Sequence, residues 1–188
     1  MNDSHPSYIL YLDIDGVLRP YSKEGDTSYR EHDELDQECI YRLDNFLSQN
    51  TDICICLCST WRKIPDDTIS LFEQWPDLFK YRLPIGFVTP DFSCIDYNRL
   101  STHIQREVDS MADIADMYSK NRGLEIDQHW NSIKNIFPTL ENYIILDDEP
   151  SSLFECQTLR NIKPDMYLGL QDEDIVNLNN LLTKLKEH

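Results

Sequence analysis

The sequence predicts an α/β fold, a three-layer sandwich in which helices cover both faces of a mainly parallel sheet. Three observations carry that expectation. Short apolar, β-favouring runs at Tyr8–Leu12 (YILYL), Ile53–Leu57 (ICICL) and 143–146 (YIIL) read as buried strands. Longer segments between them carry apolar residues at helical spacing, and strands alternating with helices imply parallel strands joined by helical crossovers. Each run also stops abruptly in polar sequence: Asp13-Ile14-Asp15-Gly16, Ser59-Thr60-Trp61-Arg62 and Asp147-Asp148-Glu149-Pro150. In parallel sheets ligands bind at the carboxyl ends of strands, so these three stretches are expected to converge at one edge.

Taken in order, the first strand is followed by Arg19 to Asp33 (RPYSKEGDTSYREHD), polar and without periodicity. Loops of that length in compact domains are usually functional, and a flap over the first strand end is expected around 19–33. Leu35, Ile40, Leu43, Phe46 and Leu47 predict a helix over 36–49, with Asp33 as N-cap and Asp36 in the first turn. Along the second strand Cys54, Cys56 and Cys58 alternate and so share a face. That spacing is too extended for a zinc knuckle, and buried free thiols are expected instead. Pro65 opens a short helix over 66–75, with Pro76 just beyond its end. Residues 85–88 read as a weak strand. Residues 90–106 are aromatic and hard to assign, and a small insertion covering part of the site is expected there.

Met111, Ile114, Ala115 and Tyr118 predict a helix over 109–119. After Arg122-Gly123, an apolar stripe of Ile126, Trp130, Ile133 and Phe137 marks another. The strand at 143–146 follows, then a short one at 165–168. The last helix, over 169–186, turns Ile175, Leu178, Leu182 and Leu185 inward. No linker or repeat interrupts the chain, so 1–188 is read as one domain.

Charge and composition narrow the function. Thirty-four acidic against 17 basic residues give a net charge of −17 and a pI near 4.5. Such a surface repels phosphate backbones at long range, and without a Lys/Arg-rich run the composition gives no strong nucleic-acid-binding signal. No apolar run approaches the roughly 20 residues of a membrane span. The start, MNDSHPSYIL, lacks the basic stretch of a secretory leader, and a cytoplasmic protein is expected.

The chemistry is written in the strand ends. Two carboxylates one residue apart, Asp13 and Asp15, repel each other beside a buried strand unless a cation neutralises them. A divalent cation with oxygen ligands, most simply Mg²⁺, meets that need, and Asp147 with Asp148 would complete its shell together with Asp13 and the backbone carbonyl of Asp15. Gly16 lets the chain turn sharply away from the sheet. A carboxylate can attack a phosphoryl group to form an aspartyl-phosphate, which assigns Asp13 as nucleophile and Asp15 as general acid/base. Ser59, with Thr60 competing for the role, offers a hydroxyl to phosphate. Arg122, at a helix start, supplies the fixed cation, with Lys120 as its rival. Taken singly, a D-x-D is a turn or cap pair and Asp147-Asp148 an acidic turn; their joint order argues for an enzyme. Arg62 and Lys63 are weighed evenly between surface charge and substrate contact. Trp61 and Trp130 read as packing residues. His103 and His129, without a ligand partner at useful spacing, read as structural.

Asp13-Ile-Asp15-Gly-Val-Leu, a strand ending in Ser59, a basic residue and a strand ending in Asp147-Asp148 resemble, in this order, the haloacid dehalogenase (HAD) superfamily of phosphatases. More narrowly, Ser59-Thr60-Trp61-Arg62, Arg122-Gly-Leu-Glu125-Ile with Trp130, and Gly169-Leu170 resemble HAD domains of RNA-repair (Swiss Army Knife) proteins. The resemblance implies a Rossmann-like sheet, Asp13 as nucleophile, Asp15 as acid/base, Ser59 as phosphate ligand and Asp147/Asp148 as metal ligands. It departs from the usual pattern in offering Arg122 where lysine is common. Little room remains for a large cap, so the cap is expected to be small or absent. The expected function is Mg²⁺-dependent hydrolysis of a phosphomonoester, on a nucleotide, a nucleic-acid end or another large or terminal phosphate. A receiver-like signalling module and an inactive HAD-fold binding module are the alternatives; receivers place their acidic pair first and the phospho-accepting aspartate centrally.

Overall fold

The computed structural model describes residues 6–21, 35–63 and 65–187, with the backbone alone at 65–67 and 114. Four strands, β1 (Tyr8–Leu12), β2 (Ile53–Leu57), β3 (Asn142–Leu146) and β4 (Asn161–Ile162), form one sheet. All pairings are parallel and the order is β2-β1-β3-β4. β1 is therefore central, and all five of its residues are buried. An apolar run without polar alternation is what a strand covered on both faces requires.

Its two faces serve two cores. Tyr8, Leu10 and Leu12 pack with Leu43, Phe46 and Leu47 of α1 (Gln37–Gln49) and with Leu178 and Leu182 of the last helix. Leu71, Leu78 and Phe79, from α2 (Pro65–Gln74) and α3 (Pro76–Phe79), join the same layer. Ile9 and Tyr11 instead face Cys56, Cys58, Tyr143 and Ile145, together with Ile126 and Ile133 of a long helix on the other side. Helices on both faces of a parallel sheet make the three-layer α/β sandwich.

α4 (Thr102–Asp109) and α5 (Ile114–Ser119) precede that long helix, α6 (Asn121–Ile136). After β3 come α7 (Glu155–Thr158), β4 and α8 (Asp172–Lys186). Residues 92–119 pack on α6 around a small core of Leu100, Ile104, Leu124 and Phe154. Polar side chains of α6 hold this segment: Asp127 Oδ2 accepts from Ser101 N–H at 2.6 Å and Gln128 Oε1 from Asp96 N–H at 2.6 Å.

Several local expectations change. The helix expected over 109–119 shortens to α5: α4 ends at Asp109, and Asp113 caps the new start by accepting from Ala115 and Asp116 N–H. Pro76 lies just beyond the end of α2, as expected, and also opens α3. Residues 85–88 do not form a strand; Leu57 N–H and Thr89 N–H only bridge that segment to β2. Residues 165–168 are a turn, and β4 lies earlier at Asn161–Ile162. α1 is capped by Asp36, whose Oδ1 accepts from Glu38 and Cys39 N–H at 2.9 and 3.1 Å. Asp33 and the rest of the expected flap from residue 22 lie outside the described residues. Among the described residues, no helix is long and apolar enough to cross a membrane.

Candidate active site

Register decides what meets at the sheet's carboxyl edge. Leu12 pairs with Leu57 on one side and with Leu146 on the other, so all three strands end level. The backbone carries that alignment one residue further: Asp13 N–H donates to Leu146 O at 3.0 Å and Cys58 N–H to Leu12 O at 2.9 Å. Side chains alternate along strands. Asp13, Cys58 and Asp147 therefore share the face of Ile9/Tyr11, Cys54/Cys56 and Tyr143/Ile145, the face covered by α6.

Arg122, in the first turn of α6, reaches all three. Its Nη2 lies 3.3 Å from Asp13 Oδ2 and its Nη1 3.3 Å from Asp147 Oδ2. Nη1 also donates to Cys58 Sγ at 3.2 Å. Burial alone would weaken the guanidinium charge, but the hydrogen bond to Cys58 and the Asp13 and Asp147 carboxylates around it hold it firmly protonated. Burial pushes the Cys58 thiol up to about 12 despite Arg122, so it meets the arginine as a neutral acceptor.

Asp13, Asp147 and Asp148 are all buried, and one carboxylate oxygen from each lies within 4.8 Å of the other two. Asp13 Oδ1 accepts from Ile14 N–H at 2.8 Å and Asp147 Oδ1 from Glu149 N–H at 2.8 Å. Asp147 Oδ2 is buried with no hydrogen bond in good geometry, the Arg122 ion pair at 3.3 Å being its nearest support. Burial first, and the Asp13 charge with it, raises the Asp147 carboxyl strongly against the pull of Arg122. The same two causes bring Asp148 to about 6. One arginine is thus too little positive charge for three gathered carboxylates. An all-oxygen donor set short of positive charge fits a hard divalent cation such as Mg²⁺, held by Asp13, Asp147 and Asp148.

Gly16 makes the approach geometrically feasible. Its φ is +73°, and a Cβ there would fall on the Asp148 carboxylate. Gly123, next to Arg122, does the same for α6: a Cβ would come within 2.7 Å of the Phe154 ring.

Other expected site residues are placed differently. The Asp15 side chain is not in the three-carboxylate group; its Oδ1 pairs with Arg19 Nη2 at 2.5 Å. Trp61 Nε1–H donates to the Asp15 oxygens at 3.1 and 3.3 Å, and Arg19 stacks over the Trp61 ring at 5.0 Å. Trp61, read as packing, is thus also a carboxylate holder. Ser59 is fully buried, and its Oγ accepts from Trp61 N–H at 3.4 Å. Thr60 is exposed at the start of a short 3₁₀ turn, Thr60–Lys63. Lys120 Nζ donates to Ser151 O and Leu153 O, both at 2.8 Å, which occupies it in fastening the turn after β3.

Arg62 is no surface charge: its side chain is 3 % exposed and pairs with the equally buried Glu125. Lys63 is the surface residue, paired with Asp91 at 2.9 Å. His129 is structural as expected; Tyr11 O–H donates to its Nδ1 at 2.8 Å, and its Nε2–H donates to Gly86 O at 2.7 Å. His103, read as lacking a partner at useful spacing, pairs with Glu107 one turn on in α4 at 2.9 Å, and Cys156, far along the chain, lies beside them. Sequence reading passed over Cys58 and Glu125 as site neighbours. The alternation that put Cys54, Cys56 and Cys58 on one face was a sufficient signal for the first, once Asp13 and Asp147 were counted in the same way.

Residues 9–175 match the family described as the HAD domain in Swiss Army Knife RNA repair proteins. No curated protein and no solved structure matches the chain.

Proposed function

The chain belongs to the family of HAD domains found in Swiss Army Knife RNA repair proteins, whose kind of function is phosphatase-type hydrolysis, and from that premise we propose that it is a Mg²⁺-dependent phosphomonoesterase acting on terminal phosphates of nucleic acid. The observation that carries the reading is the gathering of Asp13, Asp147 and Asp148 around Arg122 at the carboxyl edge of the sheet.

In this reading an Asp13 carboxylate oxygen attacks phosphorus in line with the leaving oxygen. A P–O bond to Asp13 forms, the bond to the leaving group breaks, and Asp15 delivers a proton to the departing alkoxide. Water then attacks the aspartyl-phosphate while Asp15 takes back a proton, releasing phosphate and restoring Asp13. Arg122 holds the equatorial phosphoryl oxygens, where charge accumulates in the transition state. When bound, Mg²⁺ neutralises the carboxylates against the phosphoryl charge; Asp13, Asp147 and Asp148 would hold it. Trp61 and Arg19 fix the Asp15 carboxylate in orientation. Ser59 or Thr60 supplies the hydroxyl for the remaining phosphate oxygen.

Phosphate release from RNA oligonucleotides carrying a 3′- or 5′-terminal phosphate, with and without Mg²⁺, tests the proposal. Release that needs Mg²⁺ and disappears in Asp13→Asn supports it. A wild-type protein that releases no phosphate from any of these ends, or an Asp13→Asn variant as active as wild type, refutes it.

A further inference from the structure

Arg62 and Glu125 are the most deeply buried charged pair among the described ion pairs, and they lie outside the steps above. Arg62 Nη2 sits 2.5 Å from Glu125 Oε2, with both side chains 3 % exposed. The other guanidinium hydrogens go to backbone carbonyls: Nη1 to Cys58 O at 2.6 Å and Ser59 O at 2.5 Å, Nε to Thr89 O at 3.1 Å, Nη2 to Pro90 O at 3.4 Å. One side chain thus ties together the end of β2, the segment beside it and α6. Glu125 stands three residues after Arg122 on α6, one turn along the same face.

The two arginines meet at one residue. Arg62 grips the Cys58 carbonyl, while Arg122 touches the Cys58 thiol and, beyond it, Asp13 and Asp147. Stability alone is a poor reason for such a pair, since a buried ion pair is commonly no better than apolar packing of equal volume. Glu125 Oε1 is even left buried without a hydrogen-bond partner. What the pair fixes is geometry: a planar fork with five donors reaches several acceptors at once, which an ammonium group does not.

We propose that the Arg62–Glu125 pair is a positioning element that locks α6 to the Cys58–Ser59 backbone and thereby holds Arg122 where the transferring phosphoryl group needs it. The assignment rests on the reading of Arg122 as the phosphate-fixing cation. Neither Arg62 nor Glu125 touches substrate; both act through Arg122 and the loop after β2.

The test is a double-mutant cycle on kcat and KM with p-nitrophenyl phosphate and Mg²⁺, supported by amide hydrogen exchange. Glu125→Gln keeps the shape of the side chain and removes its charge. Alone it is expected to lower kcat by at least ~30-fold while KM changes by less than about threefold, as misplacing a transition-state contact does. On an Arg122→Ala background the same change is expected to cost less than about threefold, because the group being positioned is gone. Arg62→Lys is expected not to rescue, keeping the charge but losing the fork. Costs that multiply in the cycle, or a full-strength Arg62→Lys variant, overturn the proposal. Exchange supplies the arm that needs no turnover: Glu125→Gln should speed exchange at 58–61 and 121–125 together while leaving α8 as in wild type. Unchanged exchange at both segments also overturns it. If wild type hydrolyses no phosphomonoester, the proposed function falls and the exchange comparison alone judges the joint.

Discussion

Replacing Arg122 by alanine removes a guanidinium that sits 3.3 Å from Asp13, 3.3 Å from Asp147 and 3.2 Å from the Cys58 sulfur. Two effects follow, and they separate by assay. In catalysis, an oriented buried charge facing the transferring phosphoryl group is worth about 100-fold or more in kcat/KM, or ~2.7 kcal/mol of transition-state stabilisation. In stability, the loss leaves Asp13, Asp147 and Asp148 without their cation in a buried site, where breaking an ion pair commonly costs about 3–5 kcal/mol. Added Mg²⁺ restores part of that, so the Mg²⁺-induced rise in Tm is larger in Arg122→Ala than in wild type. Arg122→Lys recovers part of the rate, since the charge stays and the two-pronged contact is lost. Lys120→Ala is the control: its ammonium serves Ser151 O and Leu153 O, so the variant lowers Tm modestly and leaves kcat/KM within about tenfold of wild type. The assay is steady-state hydrolysis of one phosphomonoester, with Tm measured in chelator and in Mg²⁺. A greater rate defect for Lys120→Ala than for Arg122→Ala would refute the assignment.

Three further outcomes are expected. Asp13→Asn abolishes turnover but keeps the fold, and in chelator it melts no lower than wild type, because it removes one of three mutually repelling carboxylates; circular dichroism and phosphate release check both halves. Asp147→Ala combined with Asp148→Ala erases the Mg²⁺-induced rise in Tm, and a shift that persists at full size would place the cation elsewhere. His129, lowered to about 4 by burial, stays neutral in the folded protein while its unfolded counterpart protonates near 6.5. The folded form then binds fewer protons over that window, so this contribution is complete above about pH 6.5 and is lost as pH falls towards 4. Denaturation of His129→Gln should show a shallower loss of stability than wild type between those pH values; parallel curves would contradict the assignment.

Much of this protein is legible in one dimension. The buried strands at 8–12, 53–57 and 143–146, the helices on both sides and the polar strand ends follow from local pattern. So does the expectation of a divalent cation at Asp13, Asp15, Asp147 and Asp148, because carboxylates placed after apolar strands imply a counter-charge whatever lies around them. Tertiary structure decided the rest. The sequence has no means of saying that Leu12, Leu57 and Leu146 end level, and only that register sets Asp13, Cys58 and Asp147 side by side under Arg122. It prefers Arg122 to Lys120 only by its place at a helix start, and that backbone carbonyls occupy Lys120 is visible only in the fold. Asp15 looks like the twin of Asp13, yet the one-residue gap between them leads its carboxylate to Arg19 and Trp61. Arg62 reads as surface charge or substrate contact, and not as a buried ion pair, because its partner Glu125 is sixty-three positions away along the chain. Local pattern is set by neighbours a few residues apart, whereas a buried charge is defined by its partners in space, which the packing of the sheet and α6 alone brings together.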